Sequence, residues 1–317
     1  MTTTTAMPTT MLGSVRLDEV SIRIGLPGSP RRWVHAAERV SLDLVPGRVT
    51  AVVGESGCGK SVLALALMGL LPAGTITAGS IHYGDVDLLT ASERVLQGIR
   101  GGGLGLIPQS AATHLNPVRT VGSTMAEALA AHGRPTGADG VRALLDELAL
   151  PAGTIDRYPH ELSGGMAQRV LVAMTLALRP AVVVADEPTS ALDPGTARLV
   201  LAALRNHADA GHAVMLITHD LVAAREVADT VAVMYAGRLM EIGPVDPVLV
   251  RPRHGYSRAL LDALPENGMT PAPGLPSSLV DPDPSVCAWH TRVGVPCVPA
   301  GRVDDDHWLA CVPAGWS

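Results

Sequence analysis

The sequence predicts an α/β fold on a mainly parallel sheet, and three observations predict it. Apolar runs of strand length alternate with helix-length stretches along most of the 317 residues. One run, Val49–Val53, leads directly into a glycine-rich loop and then into an apolar helical segment, Lys60–Leu71. Another, Val182–Ala185, ends in two adjacent acids, Asp186 and Glu187. In open α/β sheets, ligands bind at the carboxyl ends of the strands, which is where both features fall.

The elements follow in order. Val15–Ile24 alternates as a strand, Gly25–Pro30 reads as a turn, and Val40–Leu44 as a second strand before the tight turn Pro46-Gly47. Val49–Val53 is continuously apolar, as a strand buried on both faces must be. Ile76–Leu89 predicts more strand with a turn at Gly84-Asp85, and Leu104–Ile107 a short strand ending at Pro108-Gln109. Helices are predicted over Val121–His132, Val141–Leu150 and Gly164–Leu178. Strand Val182–Ala185, helix Thr196–Asp209, strand Ala213–Ile217 and helix Leu221–Ala228 come next. Val231–Tyr235 and Arg238–Glu241 flank Ala236-Gly237 as a hairpin. Beyond Leu264-Pro265 the composition turns Pro-rich, and an irregular extension is expected over 266–317. Residues 1–13, with no basic or long apolar stretch, read as a disordered leader rather than a signal peptide. The main domain is therefore expected over 14–265.

Composition narrows the function. Hydrophobic residues make up 47% and Phe is absent, so the core is built from Ala, Val, Leu, Ile and Met. The net charge of −6 argues against a nucleic-acid binder that relies on bulk electrostatics. The longest apolar runs, Val62–Leu71 and Val170–Leu178, fall short of the ~20 residues that span a bilayer, so a cytoplasmic chain is expected. Three of the four cysteines, Cys287, Cys297 and Cys311, cluster near the C-terminus, a pattern that suggests metal more than disulfides.

Lys60 is the only lysine; the other 23 basic residues of the 24 are arginine. It stands in Gly54-Glu55-Ser56-Gly57-Cys58-Gly59-Lys60-Ser61, which fits the phosphate-loop pattern. An ammonium on a flexible stem reaches β- and γ-phosphates in a crowded cradle where a planar guanidinium does not fit. Backbone N–H groups at the following helix start complete the anion site, and the Ser61 hydroxyl is a ligand for Mg²⁺. Asp186 is expected to support Mg²⁺ through water, and Glu187 to polarise the attacking water as general base. Ser163, Gly164 and Gly165, before a helix, form a second place where open N–H groups suit phosphate, with Gln168 in the same string.

Together these strings resemble the ATP-binding subunits of ABC transporters, and Leu162–Gln168 resembles the signature sequence of that family. The resemblance covers roughly 14–265 and implies a phosphate-loop ATPase domain with a mainly parallel core sheet, an antiparallel β subdomain and a helical subdomain at about 110–178. It implies that Gln109 touches Mg²⁺ and the attacking water, that Ser190-Ala191-Leu192-Asp193 is the D-loop with Asp193 among the nucleotide-binding residues, and that His219 contacts the γ-phosphate. Trp33 is the candidate to stack on adenine. It further implies two ATPase subunits facing head to tail, the signature of one closing over ATP held by the other. The strings around Pro108-Gln109, His114–Val118, Tyr158–Met166 and His254–Pro265 resemble importers for oligopeptides, dipeptides and nickel. Such systems imply a second ATPase subunit, two permeases, an external binding protein, and a place at the cytoplasmic face of the membrane. Soluble ABC ATPases acting on nucleic acid or ribosomes, and exporters, are the alternatives. Relatives often end in four cysteines, in some cases holding an iron–sulfur cluster. Here Val293 stands where the second cysteine would be, so iron–sulfur or zinc binding by Cys287, Cys297 and Cys311 would need a substitute such as His290 or His307.

Overall fold

The computed structural model describes residues 13–28, 32–134, 138–283, 285–304 and 306–315. The expected leader lies outside these residues apart from residue 13. Strands β1 (Val15–Gly25) and β2 (Trp33–Leu44) form an antiparallel pair, and β3 (Val49–Val53) leads into helix α1 (Lys60–Leu67). Strands β4 (Ile76–Tyr83) and β5 (Val86–Asp87) join the first pair in a four-stranded sheet of order β2-β1-β4-β5. Helix α2 (Glu93–Ile99) and strand β6 (Leu104–Ile107) lead into the helical region of α3 (Val121–Ala131), α4 (Ala138–Glu147) and α5 (Gly164–Ala177). Then come β7 (Val182–Asp186), α6 (Pro194–Asp209), β8 (Ala213–Thr218), α7 (Leu221–Val227), β9 (Thr230–Tyr235) and β10 (Arg238–Pro244). Helices α8 (Val245–Leu249), α9 (Gly255–Asp262) and α10 (Ala288–Val293) precede the strands β11 (Cys297–Asp304) and β12 (His307–Pro313).

The larger sheet has the order β11-β12-β10-β9-β3-β8-β7-β6. Strands β9, β3, β8, β7 and β6 run parallel, so their carboxyl ends share one edge. Every residue of β3, β7 and β8 is buried, because each strand is paired on both sides and covered on both faces. One face packs against α5, α6 and the helical region, with Val170, Val200 and Leu204 in contact with Val183 and Val214. The other packs α1 and the antiparallel sheet, through Leu63, Leu67, Val20 and Ile81.

The C-terminal segment departs from the irregular extension expected of it. Helix α10 packs Trp289 against Tyr235 and Tyr256, and β12 pairs with β10 through Glu241↔Leu309 and Ile242↔Trp308. The tail thus adds an antiparallel hairpin to the edge of the main sheet. Helix α2 was also not predicted: only Leu96 is buried on it, so it carries no apolar period to read. Among the described residues no helix is long and apolar enough to cross a membrane.

Candidate functional site

The phosphate loop sits where the buried, immobile β3 meets α1. Gly54 and Gly59 have φ of 153° and 110°, and a Cβ on either would strike backbone oxygen, of Met234 and of Ala36 respectively. Only glycine allows the chain to double back this tightly. Lys60 is buried at 6% exposure, and its Nζ donates to the carbonyls of Gly54 at 2.8 Å and Glu55 at 2.9 Å. The ammonium is therefore held inside the loop rather than in solvent. Cys58 packs beneath it, its thiol pushed up in pKa by burial, so the position contributes backbone and packing rather than a reactive sulfur.

The two adjacent acids stand at the same sheet edge. Asp186 ends β7, and its Oδ1 is buried with no partner, although the Ser61 hydroxyl lies close enough to favour its charged form. Burial raises the Asp186 pKa. A buried carboxylate oxygen with no donor, beside a serine hydroxyl and facing the lysine loop, fits a divalent cation. Ser61 and Asp186 are the residues that would hold Mg²⁺, which would supply charge neutralisation at the phosphates. Glu187 follows in the left-handed region at φ 49°, a strained conformation for glutamate and the kind that clusters at functional sites. Its Oε1 lies 2.8 Å from Nδ1 of His219, which follows β8. Strand pairing places these two groups together although they are 32 residues apart.

The remaining predicted residues divide. Gln109 is exposed just after β6, at the same sheet edge. Ser163 caps α5 by accepting from Met166 N at 3.2 Å, with Ser163 and Gly164 exposed, so the helix start faces outward. Gly165 packs closely: a Cβ there would lie 3.2 Å from the Leu192 side chain. Asp193 caps α6, accepting from Thr196 N at 3.0 Å. Gln168 differs from expectation. Its side chain is buried at 2% and donates to Pro108 O at 3.2 Å, so within this chain it ties the signature helix to the segment carrying Gln109 rather than offering itself to a nucleotide. Trp33 packs its ring on Gly25 at the far end of the β1–β2 pair, and its backbone is held by Asp281.

One contact was missed altogether. Arg292 on α10 donates to both carboxylate oxygens of Glu55 in the phosphate loop, at 3.1 and 3.3 Å, and to the Tyr235 hydroxyl at 3.2 Å. Its guanidinium, only 5% exposed, lies over the Tyr235 and Trp289 rings. The Tyr256 hydroxyl accepts from Glu55 N at 3.0 Å. The tail therefore holds the phosphate loop from outside the ATPase sequence motifs, across 237 residues of chain. No local pattern announces such a contact.

The tail cysteines are brought together only in part. Cys287 and Cys311 meet His254 and His290, whereas Cys297 stands outside this group of four. The thiol of Cys311 hydrogen-bonds to Cys287, which lowers the Cys287 pKa and raises that of Cys311. His307, one proposed substitute ligand, is turned instead to Glu241, 2.7 Å away.

A glycine-rich loop that buries a lysine between a parallel strand and a helix, with two carboxylates and a histidine at the same sheet edge, is the arrangement of phosphate-loop ATPases, the class that this fold and site define. Residues 37–190 match the family described as ABC transporter. The chain is 39% identical over 298 residues to the dipeptide transport ATP-binding protein DppD of Bacillus subtilis (strain 168), covering 88% of this chain and 89% of that one. It is 38% identical to the probable D,D-dipeptide transport ATP-binding protein DdpD of Escherichia coli (strain K12), covering 93% and 95%. Among solved structures, the dimeric MJ0796 bacterial ABC transporter cassette superposes with a TM-score of 0.64 at 23% identity, over 73% of this chain and 98% of that one, a likeness of fold. The chain belongs to the ABC transporter family and is an ATP-hydrolysing transport subunit.

Two predictions follow from this geometry. The folded-state pKa of Asp186 stands above its unfolded value, so ionisation costs stability above the unfolded pKa, and that stability is regained as pH falls through the folded value. Asp186→Asn removes this cost. At pH 7 the nucleotide-free variant melts higher by about 2 °C in a thermal scan, while its stabilisation by Mg-ATP is lost. Arg292→Ala leaves the Glu55 carboxylate uncompensated beside the phosphates. ATP affinity measured by calorimetry falls about tenfold, the scale of a charge-assisted bond, and Arg292→Lys does not restore it because lysine lacks the planar fork.

Proposed function

We propose that this chain is the ATPase subunit of a peptide importer, peripheral to the cytoplasmic face of the membrane. It works with a second ATPase subunit, two permeases and an external binding protein. The observation that carries the reading is near-full-length similarity to subunits named for dipeptide transport, tail included, rather than similarity confined to the ATPase core. Importers of nickel or metal chelates share the sequence strings that suggest this group, and no feature of the chain favours them over peptides.

The chemistry rests on the residues at the sheet edge. Lys60 and the loop N–H groups bind the β- and γ-phosphates, and Ser61 with Asp186 would hold the cation, which would neutralise phosphate charge. Glu187 accepts a proton from the attacking water, and His219 fixes the carboxylate through its Nδ1 contact and presents its other ring nitrogen toward the γ-phosphate. Gln109 lines the same edge and reports its state to the membrane partner. The outward-facing start of α5 is the surface that a second subunit's ATP would meet, with the helix dipole favouring the phosphate charge. Binding of ATP favours the closed pair and hydrolysis removes that preference, so the two states alternate. The acidic net charge of −6 sets the reading apart from soluble ABC ATPases that act on nucleic acid.

Isolating the chain from native membranes in mild detergent tests this. Two permeases and a second ABC ATPase are expected with it, together with a binding protein that enriches peptides. Recovery with ribosomes or only soluble partners contradicts the transport reading.

A further inference from the structure

Four side chains from three separate elements converge behind the phosphate loop. Cys287 and His290 come from the start of α10, Cys311 from β12, and His254 from the N-cap of α9. One donor atom from each lies within 4.8 Å of all the others. His290 Nδ1 is 3.3 Å from both sulfurs, and His254 Nε2 is 3.6 Å from Cys311 Sγ. His254, His290 and Cys311 are buried, and Cys287 is half-buried.

These spacings discriminate between kinds of metal group. Zinc with bonds of about 2.3 Å to sulfur and about 2.1 Å to nitrogen, arranged tetrahedrally, sets ligand–ligand edges at roughly 3.3–3.8 Å. The three sulfur–nitrogen edges above lie within about 0.3 Å of the roughly 3.6 Å that such an edge takes around one zinc. A four-iron cluster puts each of its four ligands on a different iron, and a two-iron cluster, even one with two His and two Cys, divides them in pairs between two irons, so either spreads the donors farther apart than one ion does. Two sulfurs and two imidazole nitrogens all within 4.8 Å of one another are too compact for ligands shared among several irons.

We propose that this chain holds a single zinc-class ion on Cys287 Sγ, His290 Nδ1, Cys311 Sγ and His254 Nε2, in place of the cluster that its cysteine-rich tail would suggest. The ion fastens the tail to the ATPase domain, since three ligands belong to the tail and His254 does not. The surroundings suit the task. Glu241, fully buried, accepts the backbone N–H groups of Arg253 and His254 at 2.9 and 3.0 Å and contacts His307, so the turn carrying His254 is fixed from behind. A cleft of about 650 Å³ lined by Cys287, His290, Cys297 and Cys311 gives the ion a way in. Ligation has one cost: His254 Nδ1 accepts Tyr256 N–H at 3.1 Å, and binding through Nε2 moves the ring proton to Nδ1 and gives up that cap. One cap bond is lost against four metal–ligand bonds. Cys297, within reach of Cys287 and Cys311 but outside the four, is the competing ligand.

The full chain, purified anaerobically without a histidine tag, is assayed for zinc, iron and acid-labile sulfide. Roughly one zinc per chain and no stoichiometric iron or sulfide are expected. Cys311→Ser and His254→Ala lose the zinc, and Cys297→Ser keeps it. Cobalt substituted into the wild-type chain shows the visible bands of a four-coordinate thiolate site, a readout that needs no variant to fold. Iron with sulfide overturns the proposal, as does a chain that takes up neither zinc nor cobalt. Zinc lost from Cys297→Ser but kept in His254→Ala overturns the assignment of His254. Metal content is read without ATP, so these outcomes stand apart from any failure of the transport reading.

Discussion

The complete burial of β3 is the constraint on which the rest of the site depends. A strand paired on both sides and covered on both faces cannot shift without breaking the sheet, so the loop that leaves it starts from a fixed point. From there Gly54 and Gly59 turn where no Cβ is tolerated, and Lys60 is folded back onto the carbonyls of its own loop. The neighbouring parallel strands end at the same edge. This is why Asp186, Glu187 and His219, far apart in sequence, arrive beside one loop. Chemistry at this edge is a matter of preorganised position rather than of any one unusual group.

The tail extends that logic beyond the family's motifs. Helix α10 carries Cys287 and His290 at one end and Arg292 two residues later, so the element that enters the four-donor cluster also grips Glu55 of the phosphate loop. Trp289 between them packs on Tyr235 and Tyr256, and Tyr256 in turn bonds the Glu55 backbone. The C-terminal segment thus braces the nucleotide loop from behind.

Much of this was legible in the residues, for identifiable reasons. Val49–Val53 and Val182–Asp186 announce themselves because a strand buried on both faces must be continuously apolar, and the phosphate loop because its glycines and lone lysine have few other uses. The resemblance implied only that His219 contacts the γ-phosphate; its pairing with Glu187 is set by strand register. The tail was not legible. Strand β11 is mostly exposed, with Pro299 and Gly301 within it, and the hairpin it forms with β12 joins the main sheet only through the edge of β10. A pairing partner some 66 residues away leaves no local period. Arg292 and His254 were missed for the same reason: each acts through a residue distant in sequence. Gln168 was read with the phosphate-binding string from its place in a motif, whereas its side chain turns inward to Pro108.

The central claim is that Glu187, held by His219, is the base for ATP hydrolysis at this sheet edge. Single-turnover hydrolysis by the assembled transporter carrying Glu187→Gln tests it most directly. The account predicts a rate at least ~100-fold lower, with ATP binding retained, the scale of a lost general base. Hydrolysis at the wild-type rate would contradict it.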